Sequence, residues 1–289
     1  GRGRGELHEL PDQQKLMSAC TAFSARVEKP EDFPGLLAKA FDVFNSARPR
    51  PVHIEVPIDI FAQKVDEDWT RQPAAPKPEA DATRIAEAAG LLSAAANPLI
   101  IAGGGAIGGE AAVRTLAEKL AAPVATSVAG SGILPCSHPL SLGPTLVSAA
   151  THELIAAADV VLVAGSELAS TDTWGNKFAF NGRLIRIDID AGQFGNGPKA
   201  DVELYGDAPV MLQTLAGMVA ASADDARRKA AEAQVAIALA AYDDSLDEAE
   251  RLRREVFETV VNALPEETLV ASDMTQIGYT GHGVFRPET

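Results

Sequence analysis

Leu99-Ile100-Ile101-Ala102, followed by Gly103-Gly104-Gly105-Ala106-Ile107-Gly108-Gly109 and then residues 110–120, decides how the chain is read. Four apolar residues without polar alternation fit a strand covered on both faces. The glycines let the backbone turn tightly, and the segment after them has helical apolar spacing. Strand, glycine loop and helix make half of a βαβ unit.

The same logic extends on both sides. Upstream, residues 80–95 predict an Ala-rich helix with Ile85, Ala88, Ala89 and Leu92 on one side, ended by Asn97-Pro98. Downstream, short apolar strands are expected at 123–126, 159–164 and 184–189, with a helical turn or two at 153–158. Gly206-Asp207-Ala208-Pro209 opens a helix in which Val210, Leu212, Leu215 and Met218 close the domain. The expected class is α/β: a central doubly wound parallel sheet with helices on both faces.

Flanking segments read differently. Residues 34–46 predict an amphipathic helix packed through Leu36, Leu37, Ala40, Phe41 and Phe44, followed by a short strand in which Val52, Ile54 and Val56 alternate with His53 and Glu55. Acids at 66–68 and prolines at 73, 76 and 78 mark a semi-rigid linker. Residues 222–254 read as one charged connecting helix, 256–264 as a further helix, and Leu269-Val270-Ala271-Ser272-Asp273 as a strand ending in an acid. The expected organisation is a partial domain at 1–62, a linker at 63–79, a central domain at 80–221, a connecting helix at 222–250 and the start of a third domain at 251–289.

Composition narrows the function classes. The 289 residues are 46% apolar and 22% charged, ordinary globular proportions for about two cores. A net charge of −15 repels phosphate backbones and anionic lipid, so neither a nucleic-acid nor a membrane partner is expected, and the cytoplasm is the default compartment. Cys20 and Cys136 have no metal-ligand or disulfide-framework spacing. His8, His53, His138, His152 and His282 occur singly, and no Ser stands in a nucleophile elbow, so metal-hydrolase and serine-hydrolase chemistry lack support. Gly1-Arg2-Gly3-Arg4-Gly5 contains neither an initiator Met nor a signal-peptide core, which reads as the start of a piece of a longer chain or as a flexible tag.

Two motifs are candidates for ligand contact. Gly103, Gly105 and Gly108 have the spacing of a dinucleotide fingerprint, and Gly104 and Gly105 are the glycines placed to approach a ligand. The acid expected about 20 residues later is replaced by Val124-Ala125-Thr126-Ser127-Val128, which disfavours a nicotinamide dehydrogenase and leaves another nucleotide or a ligand-free turn. Asp188 and Asp190 end a buried strand, where they either accept hydrogen bonds from a ribose or cap the next turn.

Taken together, several segments resemble one family. Arg48-Pro49-Arg50-Pro51-Val52-His53-Ile54-Glu55-Val56-Pro57 resembles the end of the first domain of thiamine diphosphate enzymes of the acetolactate synthase and 2-oxo acid decarboxylase type. The central resemblance rests on Ala102 to Ala106, Thr126 with residues 130–134, His138-Pro139-Leu140 to Gly143, residues 159–165, and Ile187-Asp188-Ile189-Asp190 leading to Gly206-Asp207-Ala208. Leu264-Pro265 and residues 269–276 resemble the opening of the third, diphosphate-binding domain. Residues 5–13 and Ser272-Asp273-Met274-Thr275-Gln276 look most like a guanidino-oxopentanoate decarboxylase branch.

The resemblance implies thiamine diphosphate with Mg2+, a small 2-oxo acid substrate, and a homodimer or homotetramer with the coenzyme between subunits. It places the family's catalytic glutamate before residue 1 and its metal-binding GDG motif after residue 289, so the segment alone is expected to be inactive. It assigns Thr275 and Gln276 to the loop that touches the diphosphate, with an ordinary strand-to-helix turn as the alternative. Acetolactate synthases place an Arg where this chain has Glu167, and an acid facing a flavin pyrophosphate disfavours FAD. The competing reading is a non-catalytic nucleotide-binding or architectural α/β module.

Overall fold

The computed structural model describes residues 3–5, 7–65, 69, 73, 75–175, 178–221, 224–265, 268–273 and 275–286. Acids 66–68, Ser222, Met274 and the termini at 1–2 and 287–289, all used in the sequence reading, lie outside the described residues. The chain divides into two compact units, residues 1–78 and 79–289.

In the first unit, α1 (Gln13–Ser18) starts at Asp12, whose side chain accepts the Lys15 N–H. Strands β1 (Ser24–Arg26) and β2 (His53–Glu55) pair in parallel across α2 (Asp32–Ser46), and α3 (Ile58–Phe61) follows. The helix of residues 34–46 is present, but Ala40 is its only buried residue, while Leu37, Phe41 and Phe44 are exposed. A two-stranded sheet has too little surface to cover that face. His53 is held by the Ser24 hydroxyl at 2.9 Å across the strand pair.

The second unit opens with α4 (Ala82–Ala94), capped by Asp81, and buries Ile85, Ala88, Ala89 and Leu92. Then come β3 (Pro98–Ala102), α5 (Glu110–Leu120), β4 (Val124–Thr126), β5 (Ser141–Gly143), α6 (Ala149–Ala157), β6 (Val160–Ala164), the four-residue α7 (Ser170–Thr173), β7 (Arg183–Asp188), β8 (Val202–Tyr205) and α8 (Ala208–Met218). All six strands form one parallel sheet in the order β5-β4-β3-β6-β7-β8. Leu99–Ala102 and Leu184–Asp188 flank β6 on either side, as a doubly wound sheet requires.

Alternate residues of each central strand serve two cores. Ile100, Leu162, Ile185 and Ile187 pack under α4, α5 and α8. Leu99, Ile101, Val161, Val163 and Leu184 pack under α6 and part of α9 (Asp225–Ser245). That double coverage is why these strands are apolar throughout.

Several local expectations need correction. On α8, Leu212 and Leu215 are buried as expected, but Val210 and Met218 are exposed and Met211 and Ala216 are buried in their place, because the face against the sheet is set by α4 and α5. Residues 222–254 do not form one helix: α9 ends at Ser245, and α10 (Glu248–Asn262) starts from Asp247. Asp247 and Glu250 form a reciprocal capping box that begins a new helix rather than extending the old one. Leu269 to Asp273 is not a strand, and Leu269 is 98% exposed. A strand needs a neighbour for its hydrogen-bond ladder, and none lies beside it among the described residues. The chain then forms α11 (Gln276–Val284), which packs on α10 through Gly281 against Phe257 and on α9 through Gly283 against Tyr242.

Candidate functional site

The sheet order reverses between β3 and β6, so the loops after these strands leave in opposite directions and open a crevice at their carboxyl ends. Here the two loops meet instead. Gly105 N–H donates to Gly165 O at 3.0 Å, and Gly103 N–H to Ala164 O at 2.9 Å. A Cβ on Gly105 would lie 2.9 Å from Gly165 Cα, and one on Gly104 would lie 2.9 Å from the Ala129 Cβ. These glycines are required by backbone-to-backbone packing whether or not a ligand approaches. At the start of α5, the Glu110 carboxylate accepts the Gly108 N–H at 2.8 Å, occupying the position an anion takes at a helix start.

Asp188 is buried at the end of β7. Its Oδ1 accepts the Asp190 N–H at 2.9 Å, and Asp190 Oδ1 in turn accepts the Gly192 N–H at 2.9 Å, so both acids cap the turn at Ala191–Gly195. Beside them Arg186 is 1% exposed, and its Nη1 donates to the carbonyls of Gln193 (3.0 Å) and Asn196 (2.8 Å). Its Nε and Nη2 have no hydrogen-bond partner among the described residues. Burial pulls the guanidinium pKa down, and Asp188 and Glu203 hold it up. Arg186 was not singled out from sequence; the signal was one cation inside an otherwise apolar strand two residues before an acid.

Thr275 and Gln276 lie elsewhere in the unit, at the start of α11. Thr275 is the N-cap, its Oγ1 accepting the Gly278 N–H at 3.0 Å. Gln276 opens the helix with an exposed side chain. The amides of Gln276 and Ile277 make no hydrogen bond among the described residues, as expected of a first turn. This donor set, two amides and an uncharged side-chain amide, suits phosphate oxygens at one end of a diphosphate. Among the described residues no three His, Cys, Asp or Glu side chains come together to hold a metal ion.

A second group missed from sequence adjoins α11. Trp174, after α7, meets the Tyr279 ring edge to face with centroids 5.3 Å apart, and Tyr279 meets His282 at 6.4 Å. On α7, Asp172 accepts the Val128 N–H at 3.2 Å. Burial pushes its carboxyl pKa up, the Val128 hydrogen bond opposes this, and Glu167 raises it further. The structure therefore does not bring the sequence candidates into one place: Gly104 and Gly105 lie in the loop after β3, Asp188 and Asp190 stand at and just after the end of β7, and Thr275 and Gln276 cap and open α11.

Comparison with known proteins agrees with this architecture. Residues 85–215 match the model of the thiamine pyrophosphate enzyme central domain. A Pseudomonas aeruginosa protein named as a probable 2-ketoarginine decarboxylase is 42% identical over 99% of this chain and 51% of its own length. A Methanocaldococcus jannaschii protein named as a probable acetolactate synthase large subunit is 28% identical over 95% of this chain and 49% of its own length. A solved structure from Mycobacterium smegmatis, named as a thiamin diphosphate-dependent enzyme, superposes with a TM-score of 0.76 at 22% identity over 96% of this chain and 54% of that one, a likeness of fold. The chain spans about half the length of the curated relatives it matches. No helix among the described residues is long and apolar enough to cross a membrane. By its central domain and by similarity along nearly its whole length, the chain belongs to the thiamine diphosphate enzyme family.

Proposed function

We propose that these residues are part of a thiamine diphosphate- and Mg2+-dependent enzyme that decarboxylates a 2-oxo acid or joins the resulting fragment to a second carbonyl compound. The observation that carries this is the 42% identity, over 99% of the chain, with a protein named as a 2-ketoarginine decarboxylase. The α11 start, with Thr275 and Gln276, is its diphosphate contact. The coenzyme supplies the electron sink for decarboxylation, while the chain's own residues bind and orient. Assembly as a homodimer or homotetramer and a cytoplasmic location belong to the same reading. So do the boundaries at 62, 79, 221 and 250, with catalytic glutamate and metal motif supplied outside this segment and the segment alone inactive. FAD is disfavoured by Glu167 on the loop after β6.

The alternative is a nucleotide-binding or architectural module. Backbone packing of Gly103 to Gly105 against Gly165 favours the architectural form, because the crevice is closed by the loops themselves. Calorimetry separates the readings. A chain of the relatives' full length should bind thiamine diphosphate when Mg2+ is present and release CO2 from a 2-oxo acid. Absence of coenzyme binding in that chain refutes the enzyme reading, and saturable binding of ADP by residues 79–289 supports the nucleotide module.

A further inference from the structure

Arg186 stands inside β7 at 1% exposure, and only one end of its guanidinium is occupied. Nη1 donates to the Gln193 and Asn196 carbonyls, and the Phe194 ring lies with its centroid 5.9 Å from Cζ. Nε and Nη2 are fully buried and have no hydrogen-bond partner among the described residues. Those two nitrogens share one edge of the planar group, the edge that offers parallel N–H bonds to the two oxygens of a carboxylate. Two more exposed arginines of the unit show that pairing made within the chain: Arg183 meets Asp201 at 2.9 Å, and Arg254 meets Asp243 at 2.8 Å and Glu258 at 2.7 Å. A buried cation with two unmet donors is costly, and an anion on that edge removes the cost.

The turn over this group is lightly held. Gly192, Gly195, Asn196 and Gly197 are exposed, and a Cβ on Gly195 or Gly197 would meet nothing within 4 Å. The turn is tied down by the two Arg186 bonds and by the Asp190 carboxylate on the Gly192 N–H.

We propose that the Nε and Nη2 edge of Arg186 binds a small monocarboxylate, of formate or acetate size, beneath a flap formed by residues 191–197. The flap lifts to admit the anion and closes on the same two Nη1 hydrogen bonds, so the bound state is the closed one. A planar, singly charged ion fits best for two reasons. Its two oxygens match the fork, and the charges of Asp188 and Glu203, which act on the same guanidinium, repel a dianion such as phosphate more strongly. The site is separate from the coenzyme contact and stands or falls without it.

The test is calorimetric titration of the 289-residue chain with sodium formate, against sodium chloride at equal ionic strength, together with chymotrypsin cleavage after Phe194. Formate should saturate at millimolar concentration and slow that cleavage, and chloride should do neither. Arg186→Lys keeps the cation but loses the fork, and should weaken formate at least about tenfold. Glu203→Gln, an exposed position on edge strand β8, leaves Arg186 in place and should tighten formate about twofold by removing a like charge; this result counts even where Arg186→Lys does not fold. Absence of saturation, an equal response to chloride, tighter binding of inorganic phosphate than of formate, a folded Arg186→Lys chain within about twofold of the parent, or formate binding by Glu203→Gln no tighter than the parent's each overturns the proposal.

Discussion

Replacing Gly165 by Ala tests whether the loops at the sheet reversal are sealed by backbone contact. Gly165 has φ +60°, and an added Cβ would lie 2.5 Å from the Gly105 carbonyl carbon, 2.6 Å from Gly105 Cα and 2.7 Å from Ala106 N. Two costs add. The left-handed conformation costs a residue with a Cβ about 1 kcal/mol. The overlap, with backbone atoms that cannot rotate away, costs about 1–3 kcal/mol more. Gly175 supplies the control, because it has φ +79° and open space within 4 Å, so Gly175→Ala should show only the first cost, about 1 kcal/mol. Gly103→Ala is the converse, since it has ordinary φ and a Cβ that would lie 2.6 Å from the Ser166 Cβ. Urea melts followed by far-UV circular dichroism should rank the variants Gly165→Ala, then Gly103→Ala, then Gly175→Ala from most to least destabilised. For a unit of this size, a loss of about 3 kcal/mol lowers Tm by roughly 6–12 °C. If Gly165→Ala and Gly175→Ala fall within about 0.5 kcal/mol of each other, the loops are not in contact and the crevice is open.

Two further outcomes follow from single buried or half-buried groups. Arg186→Met leaves the Gln193 and Asn196 carbonyls without their donor and Asp188 without its neighbouring cation, a loss of about 3 kcal/mol, and limited proteolysis should then cut within residues 191–197; resistance equal to that of the parent contradicts the clamp. Asp172 has a folded-state pKa above the ordinary 3.8, so the stability it contributes is full below that value and is lost as pH rises through the folded-state pKa. Asp172→Asn should therefore raise stability at pH 7 by under about 1 kcal/mol, with the gain vanishing in acid. A pH-independent difference in Cm refutes that assignment.

How much could be read from sequence depended on how each element is stabilised. Strands β3, β6 and β7 are covered on both faces, so their apolar runs announce themselves without reference to any neighbour. β8 alternates Val202 and Leu204 inward with Glu203 and Tyr205 outward over only four residues, and β5 is Ser141-Leu142-Gly143; both are edge strands whose existence depends on pairing. The opposite error at residues 269–273 has the same cause, since an apolar stretch becomes a strand only when a partner completes its ladder. The break before α10 was legible in principle, because Asp247 and Glu250 have capping-box spacing, but they stand among many other acids. Trp174 and Tyr279 come from distant parts of the chain, and their meeting depends on how α11 packs against α9 and α10.

The placement of the glycines also bears on where this chain can meet a ligand. A doubly wound sheet binds ligands where its loops part, and a nucleotide there needs free amides and room for phosphates. In this unit Gly105 N–H is committed to Gly165 O, Gly108 N–H is committed to the Glu110 carboxylate, and Asp188 and Asp190 are engaged in capping one turn. A phosphate entering at α5 would have to displace a carboxylate of the same charge, held by its own helix, and push apart loops in backbone contact. The start of α11 presents the reverse case: the Gln276 and Ile277 amides make no bond among the described residues, and no acid of the helix occupies its first turn. Charge and hydrogen-bond occupancy thus favour the α11 end of the unit over the glycine loop for a diphosphate, although the glycine loop carries the more familiar spacing.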